Sequence, residues 1–123
     1  MLNDKKVYDL EERTALFGEA VIGFAKIIPQ NVINNPIISQ FVKSGTSMGA
    51  NYCEADAAES KKDFEHKIGI CKKESKETRY WLRMIAAACP ELKEKSRELW
   101  KESNELLLIF SAIIKKSRAN SKK

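Results

Sequence analysis

FEHKIGICKKESKETRYWLRMIAAAC, the stretch at residues 64–89, repeats apolar or small residues at alternating steps of four and three. The repeating positions are Phe64, Ile68, Cys71, Ser75, Thr78, Leu82, Ile85 and Cys89. This heptad spacing places them along one face of an α-helix, which has about 3.6 residues per turn. Pro90 cannot continue a helix and ends the repeat. The stretch therefore predicts a long helix with one face packed against other helices.

Three further segments carry the same spacing between capping residues or prolines. Asp9 with Glu12 marks one helix start, Asn35 with Pro36 marks another, and Pro29 ends the first helix. The predicted helices cover about residues 9–28, 36–57, 61–89 and 91–117, followed by a flexible basic tail at 118–123. Because short turns join helices that must bury their faces together, the sequence predicts one all-α domain over residues 1–123. Its expected architecture is an antiparallel up-down-up-down four-helix bundle.

The composition excludes several classes of protein. The 123 residues are 43% hydrophobic and 32% charged, with five glycines and three prolines, which is typical of a globular helical domain. No apolar run approaches the roughly 20 residues of a membrane span, and the first residues lack the apolar core of a signal peptide. We therefore expect a cytoplasmic protein with no membrane partner.

Residue types that form metal and catalytic sites are sparse. The cysteines, Cys53, Cys71 and Cys89, are odd in number and form no C-x-x-C pair, so neither a disulfide framework nor a zinc site is indicated. We expect reduced thiols, with Cys71 and Cys89 in the core. The only histidine, His66, has no glutamate three residues before it, unlike the Glu-x-x-His pattern of di-iron bundles. We expect no catalytic residue, no metal, no cofactor and no enzymatic activity.

The third and fourth helices carry more apolar residues than one stripe needs. These extra residues are Ile70, Trp81, Met84, Leu108 and Ile109. They either widen the core within the chain or form an interface between subunits. We predict that they contribute to an oligomer interface.

Cations are sorted to one side of the third helix. At 100° per residue, a cationic ridge is predicted at Lys61, Lys62, Lys72, Lys76, Arg79 and Arg83. Such a stripe is either an ordinary solvated face or a track for phosphate groups. The net charge of +5 favours an anionic partner, although charge alone is common among soluble proteins.

Polar residues flank the core lines of the second and third helices. If Asn51, Glu54, Glu74 and Glu77 lie inside the bundle or at an interface, they must pair with each other or with a cation, because an unpaired buried carboxylate is very costly. A structural polar layer that fixes helix register is the preferred interpretation, and a ligand site is the alternative.

Two central segments resemble a known family. They are SGTSMGANYCEA at residues 44–55 and ESKKDF at 59–64, continued by Lys73, Glu74 and ETRYWL at 77–82. They resemble the four-helix bundle family encoded in intervening sequences of bacterial 23S ribosomal RNA genes. The resemblance implies a small bacterial protein that assembles as a ring, a homopentamer, without known enzymatic activity. The accessory protein of diversity-generating retroelements is a more distant fold relative that binds nucleic acid, but the sequence contains no motif specific to that role.

Two hypotheses about function follow. The first is an oligomer that binds RNA or DNA through the cationic ridge and the basic tail. The second is a scaffold that binds another protein through the extra apolar residues. Steep dependence of binding on salt distinguishes the first from the second.

Overall fold

The computed structural model describes residues 9–121, which form four α-helices and one short 3₁₀ turn. The helices are α1 (Leu10–Ile27), α2 (Asn34–Asp56), α3 (Lys61–Ala88) and α4 (Lys93–Ser121), and the 3₁₀ turn at Pro90–Leu92 leads into α4. No strand occurs in these residues. The predicted all-α four-helix bundle is confirmed.

Each helix packs against two neighbours. The principal packing pairs are α1 with α2, α2 with α3, α3 with α4, and α4 with α1. At the α1–α2 interface Val21 faces Gly45, and Thr14 faces Gly49, so the contacts run in opposite order along the two helices. None of the four helices is long and apolar enough to cross a membrane.

The heptad stripes predicted from the sequence form the core. The seven heptad positions from Ile68 on α3 to Cys89, directly after it, are all buried, and the partly buried Phe64 packs against the core. The largest fully buried side chains include Phe24, Phe41 and Phe110 from three different helices. Burial of apolar surface contributes about 25 cal/mol per Å² and is the main stabilising term. The core therefore lies along the common axis of the bundle.

Small hydroxyl side chains interrupt this core at mid-height. The Thr78 hydroxyl of α3 is hydrogen-bonded to the Ser44 hydroxyl of α2 at 3.0 Å, and the Ser103 hydroxyl of α4 donates to the Ser75 carbonyl at 2.9 Å. All four residues are buried. Because each hydroxyl has a partner, this layer links three helices without an uncompensated polar group.

The starts of α2 and α3 show how side chains set the helix ends. Helix α2 begins at Asn34, two residues before the predicted position, because the Asn31 side chain accepts hydrogen bonds from the backbone amides of Ile33 and Asn34. Asn34 itself is buried and donates to the Pro29 carbonyl. The predicted start of α3 is confirmed, since the Ser60 side chain accepts from the Asp63 amide at 3.0 Å.

The predicted flexible tail is wrong for residues 118–121, which continue α4 as far as Ser121. The Ser117 hydroxyl hydrogen-bonds Glu65 of α3, so the last turns of α4 are held against a neighbouring helix. Arg118 also lies in the last turn, where a cation interacts favourably with the helix dipole. The remaining tail residues, 122–123, lie outside the described part of the chain.

The cysteine placement agrees with the prediction. Cys71 and Cys89 are buried free thiols, while Cys53 is an exposed free thiol. The Cys71 thiol donates to the Met48 carbonyl at 3.4 Å, and burial raises the pKa of Cys71 to about 12. Because the thiolate is the reactive form, Cys71 behaves as a small apolar core residue.

Candidate nucleic-acid interface

The ridge predicted on α3 is exposed at five of its six positions. Those five exposed cations are Lys61, Lys62, Lys72, Lys76 and Arg83. From Lys72 to Arg83 the helix rises about 16 Å at 1.5 Å per residue, so the cations extend along the bundle. The exposed part of the ridge is accessible to a ligand in the single chain.

Arg79 does not belong to this exposed ridge. It is partly buried between α3 and α4, where its Nη1 donates to Asn104 Oδ1 at 2.7 Å. Its guanidinium carbon lies 5.4 Å from the centroid of the Trp100 ring, within the range of a cation–π contact. Packing between the two helices therefore separates Arg79 from the exposed cations of the ridge, and its role as a phosphate ligand stays a prediction.

A groove lies between α3 and α4 at the end of the ridge. Its volume is about 370 Å³, and it is lined by Leu82, Arg83, Ala86, Lys93, Ser96, Arg97, Trp100 and Lys101. The lining includes four cations and no carboxylate. We call it the α3–α4 groove. A smaller groove of about 260 Å³ lies at the other end of the same helix pair and includes Lys61 and Lys116.

The cations that α4 contributes were missed by the sequence analysis. Lys93, Arg97 and Lys101 recur every four residues and are all exposed. At 100° per residue they lie on the side of α4 that carries Trp100 and Asn104. The four-residue spacing in the sequence indicates that these three cations share one side of α4. Only the packing of that side beside the ridge of α3 shows that the two sets of cations share one face of the bundle. We call this shared surface the cationic face.

Two acidic residues of α4, Glu102 and Glu105, are bound by a cation of α1. Arg13 of α1 binds Glu102 through two hydrogen bonds of 2.8 and 2.9 Å and Glu105 through a third of 3.1 Å. The hydrogen bond to Glu102 is the main cause of the raised pKa of Arg13. Among residues 9–121, side-chain ion pairs within 4.0 Å involve only the cations Arg13 and Lys67. Within that part of the chain, the cations of the cationic face thus form no ion pair of 4.0 Å or less.

The predicted polar layer is not assembled inside the bundle. Glu54 and Glu77 are exposed, and Glu54 pairs with Lys67 at 2.6 Å across α2 and α3. The Asn51 side chain donates to the Ser47 carbonyl of its own helix. Glu74 is partly buried. Its pKa is raised mainly by this burial and to a smaller extent by repulsion from Glu77. The four residues therefore do not form a layer inside the single chain, where the hydroxyls described above occupy the interior. A polar layer at an interface between subunits, and a ligand site, both stay predictions.

The residues predicted for an oligomer interface do not form one continuous exposed patch in the single chain. Leu108 is 60% exposed, whereas Trp81 and Ile109 pack against the core. Ile70 and Met84 are partly buried. The extra apolar residues thus partly widen the core, which was the alternative interpretation.

Other exposed apolar residues occur on α1 and in the α1–α2 connector. They are Leu16, Ile22, Ile27, Val32 and Ile33, of which Val32 is 88% exposed and Ile33 66% exposed. The heptad analysis did not identify them, because they lie outside the core lines of the third and fourth helices.

The comparison with known proteins agrees with the resemblance found in the central segments. No curated protein has a matching sequence. A crystal structure of a protein of unknown function, from the S23 ribosomal protein family of Bacteroides thetaiotaomicron, is similar to this chain with a TM-score of 0.77 and 29% sequence identity. The match covers 89% of this chain and 98% of that chain. The model of the 23S rRNA-intervening sequence protein family matches residues 8–112. The chain therefore belongs to the 23S rRNA-intervening sequence protein family.

Proposed function

We propose that this protein is a non-enzymatic, oligomeric bundle that binds nucleic acid through the cationic face of α3 and α4. The observation that carries the proposal is the pairing of cations from two helices on one side of the bundle, with the carboxylates Glu102 and Glu105 engaged on another side. Unpaired cations arranged along a helix provide binding sites for phosphates, and such contacts carry little sequence information.

The length of the cationic face suits a polyanion better than a single phosphate. The stretch of about 16 Å from Lys72 to Arg83 corresponds to roughly five phosphates along one strand of a duplex, at 3.4 Å each. The cations of α4 extend the face across the groove. A linear polyanion can therefore contact several of these side chains at once.

Salt dependence tests this proposal. We expect affinity for RNA or DNA to fall roughly tenfold to a thousandfold between 50 and 200 mM salt, because binding releases counterions from the phosphates. We also expect little preference among sequences. Fluorescence anisotropy with labelled oligonucleotides measures both quantities. Affinity that does not change with salt would contradict the proposal and favour a scaffold that binds another protein.

We further propose that the chain assembles as a homopentamer, as the resemblance implies. The exposed apolar residues of α1 and its connector favour an interface there over the one predicted around Leu108. Five chains of 14.0 kDa give about 70 kDa, and five times the net charge of +5 gives +25. Repetition of the cationic face would strengthen weak phosphate contacts through multivalency.

Light scattering behind a sizing column tests the assembly. We expect a mass near 70 kDa for the wild type and a smaller mass for Val32→Ser with Ile33→Ser, because these substitutions remove the most exposed apolar side chains. Leu108→Ser is the matched control and is expected to leave the mass unchanged. A monomeric wild type at micromolar concentration contradicts the assembly, and dissociation by Leu108→Ser alone would place the interface on α4.

A further inference from the structure

We propose that the α3–α4 groove binds one unpaired nucleotide of a single strand, with its base against Trp100 and its flanking phosphates on the surrounding cations. This inference rests on the proposed function and names the form of nucleic acid that the cationic face prefers.

The groove combines the two surfaces that a nucleotide needs. Its volume of about 370 Å³ lies within the range of ligand pockets, roughly 300–1,000 Å³. Ala86 and Trp100 provide apolar surface for a base, while Arg83, Arg97 and Lys101 provide charge for phosphates. A simple anion would contact only the cations, and an apolar peptide would contact only the apolar side chains. A nucleotide uses both.

Trp100 is 37% exposed although it is a large aromatic residue on the lining of the groove. The Arg79 guanidinium lies over its ring, and Asn104 fixes that guanidinium through a hydrogen bond of 2.7 Å. The indole is thereby supported by the bundle before a ligand arrives. Stacking of a base on such an aromatic side chain contributes substantially to single-strand binding and tolerates every base.

Two buried polar atoms in this region have no hydrogen-bond partner among the described residues. Ser96, which is 3% exposed, lines it, and within the described residues its hydroxyl has no hydrogen-bond partner. The Arg79 Nε, next to Trp100, is likewise buried without a partner. Most buried polar groups are hydrogen-bonded, so these two atoms are exceptions among the described residues. Their position is consistent with a site that local side-chain movement opens to the polar atoms of a ligand.

The groove predicts that the protein binds single-stranded nucleic acid more tightly than a duplex. Bases within a duplex are stacked on each other and cannot reach an aromatic ring in a groove without being extruded, which costs free energy. Phosphates are accessible in both forms. The cationic face alone would therefore bind duplex and single strand similarly, whereas the groove adds affinity only for the single strand.

The test compares Trp100→Leu with wild type on a labelled oligouridylate and on a labelled RNA duplex. We expect Trp100→Leu to weaken single-strand binding about tenfold, because one stacked base is lost, and to leave duplex binding and the salt slope unchanged. Tyr80→Leu is the control, since Tyr80 is the other strongly exposed aromatic of α3 and α4 and packs edge-on against Trp81 outside the groove. Circular dichroism verifies that each variant is folded.

Fluorescence provides a second readout that does not remove Trp100. In a Trp81→Phe variant Trp100 is the remaining tryptophan, and we expect oligouridylate to quench its emission more strongly than the duplex does. Unchanged single-strand affinity in Trp100→Leu, or equal quenching by both ligands, overturns the inference about the groove. If binding remains steeply salt-dependent in that case, the proposed function stands; if RNA does not bind at all, the proposed function fails as well.

Discussion

Replacing Lys76, Arg83 and Arg97 by glutamine is expected to weaken RNA binding about 100-fold near 100 mM salt. The three side chains are exposed, lie on the cationic face from both α3 and α4, and form no ion pair among the described residues. Each phosphate contact adds about 0.9 to the slope of log affinity against log salt for a duplex, so three lost contacts reduce that slope by up to about 2.7. Glutamine is a good helix former, which keeps both helices intact. Anisotropy titrations at several salt concentrations measure the affinity and the slope.

A matched variant distinguishes an effect of where the charges lie from an effect of net charge on the affinity for RNA. Lys26, Lys43 and Lys95 are also exposed, but they lie outside the α3–α4 groove and the ridge. Changing these three to glutamine lowers the net charge by the same amount, from +5 to +2. We expect that variant to lose less than about threefold in affinity, an effect of long-range charge only. Equal losses in the two triple variants would mean that binding follows net charge and that the cationic face has no special role.

The division between what the sequence predicted and what it missed on this face has a physical cause. The exposed cations of α3 share one helix, so their angular positions follow from the sequence alone. The α3–α4 groove joins Arg83 to Arg97 and Lys101, and their proximity depends on how two helices pack. Arg79 shows the same limit. Its angular position on α3 is that of the ridge cations. Its contacts with Asn104 and Trp100 of α4, however, hold its guanidinium between the two helices.

The core was more predictable than the site for a related reason. Heptad spacing fixes which side of each helix is apolar, and burial of that side does not depend on which neighbour covers it. The interior polar layer was not predictable in the same way. Ser75, Thr78 and Ser103 were placed on the core lines, but their pairing with other helices required the three-dimensional register. The glutamates that the sequence suggested for a polar layer are long enough to reach solvent or a lysine at the surface, as Glu54 does.

Gly45→Ala is expected to destabilise the bundle by about 1–2 kcal/mol, although alanine favours helix over glycine by about 1 kcal/mol. Gly45 is buried in α2, and a Cβ added there would lie 2.7 and 2.8 Å from the two γ-carbons of Val21 in α1. Val21 has no exposed surface and is β-branched, so its side chain has little freedom to turn away. The two helices must separate or distort to admit one methyl group. Urea denaturation at fixed protein concentration measures the change in the free energy of unfolding.

Gly69 is the control, because it lies inside α3 and, apart from the adjacent residues and the backbone of the same helix, no heavy atom lies within 4 Å of an added Cβ. Gly69→Ala should therefore show the helix preference alone and stabilise the protein by about 0.5–1 kcal/mol. The two glycine substitutions are chemically identical and differ only in the space around the new methyl group. Opposite signs for the two variants would locate the effect at the α1–α2 contact, whereas stabilisation by both would show that the helices do not approach closely at Gly45.

A double-mutant cycle identifies Val21 as the cause. Val21→Ala alone removes buried methyl groups and should cost about 2 kcal/mol through lost burial and the cavity left behind. In combination with Gly45→Ala, the new methyl group enters the space that the valine methyls leave. The double variant should then be more stable than the sum of the single effects predicts, by about 1–3 kcal/mol. If the two single changes in the free energy of unfolding simply add, the added methyl group of Gly45→Ala must clash with a residue other than Val21. The expected coupling has a direct structural reason: α1 and α2 pack with a branched side chain against a position where no side chain fits.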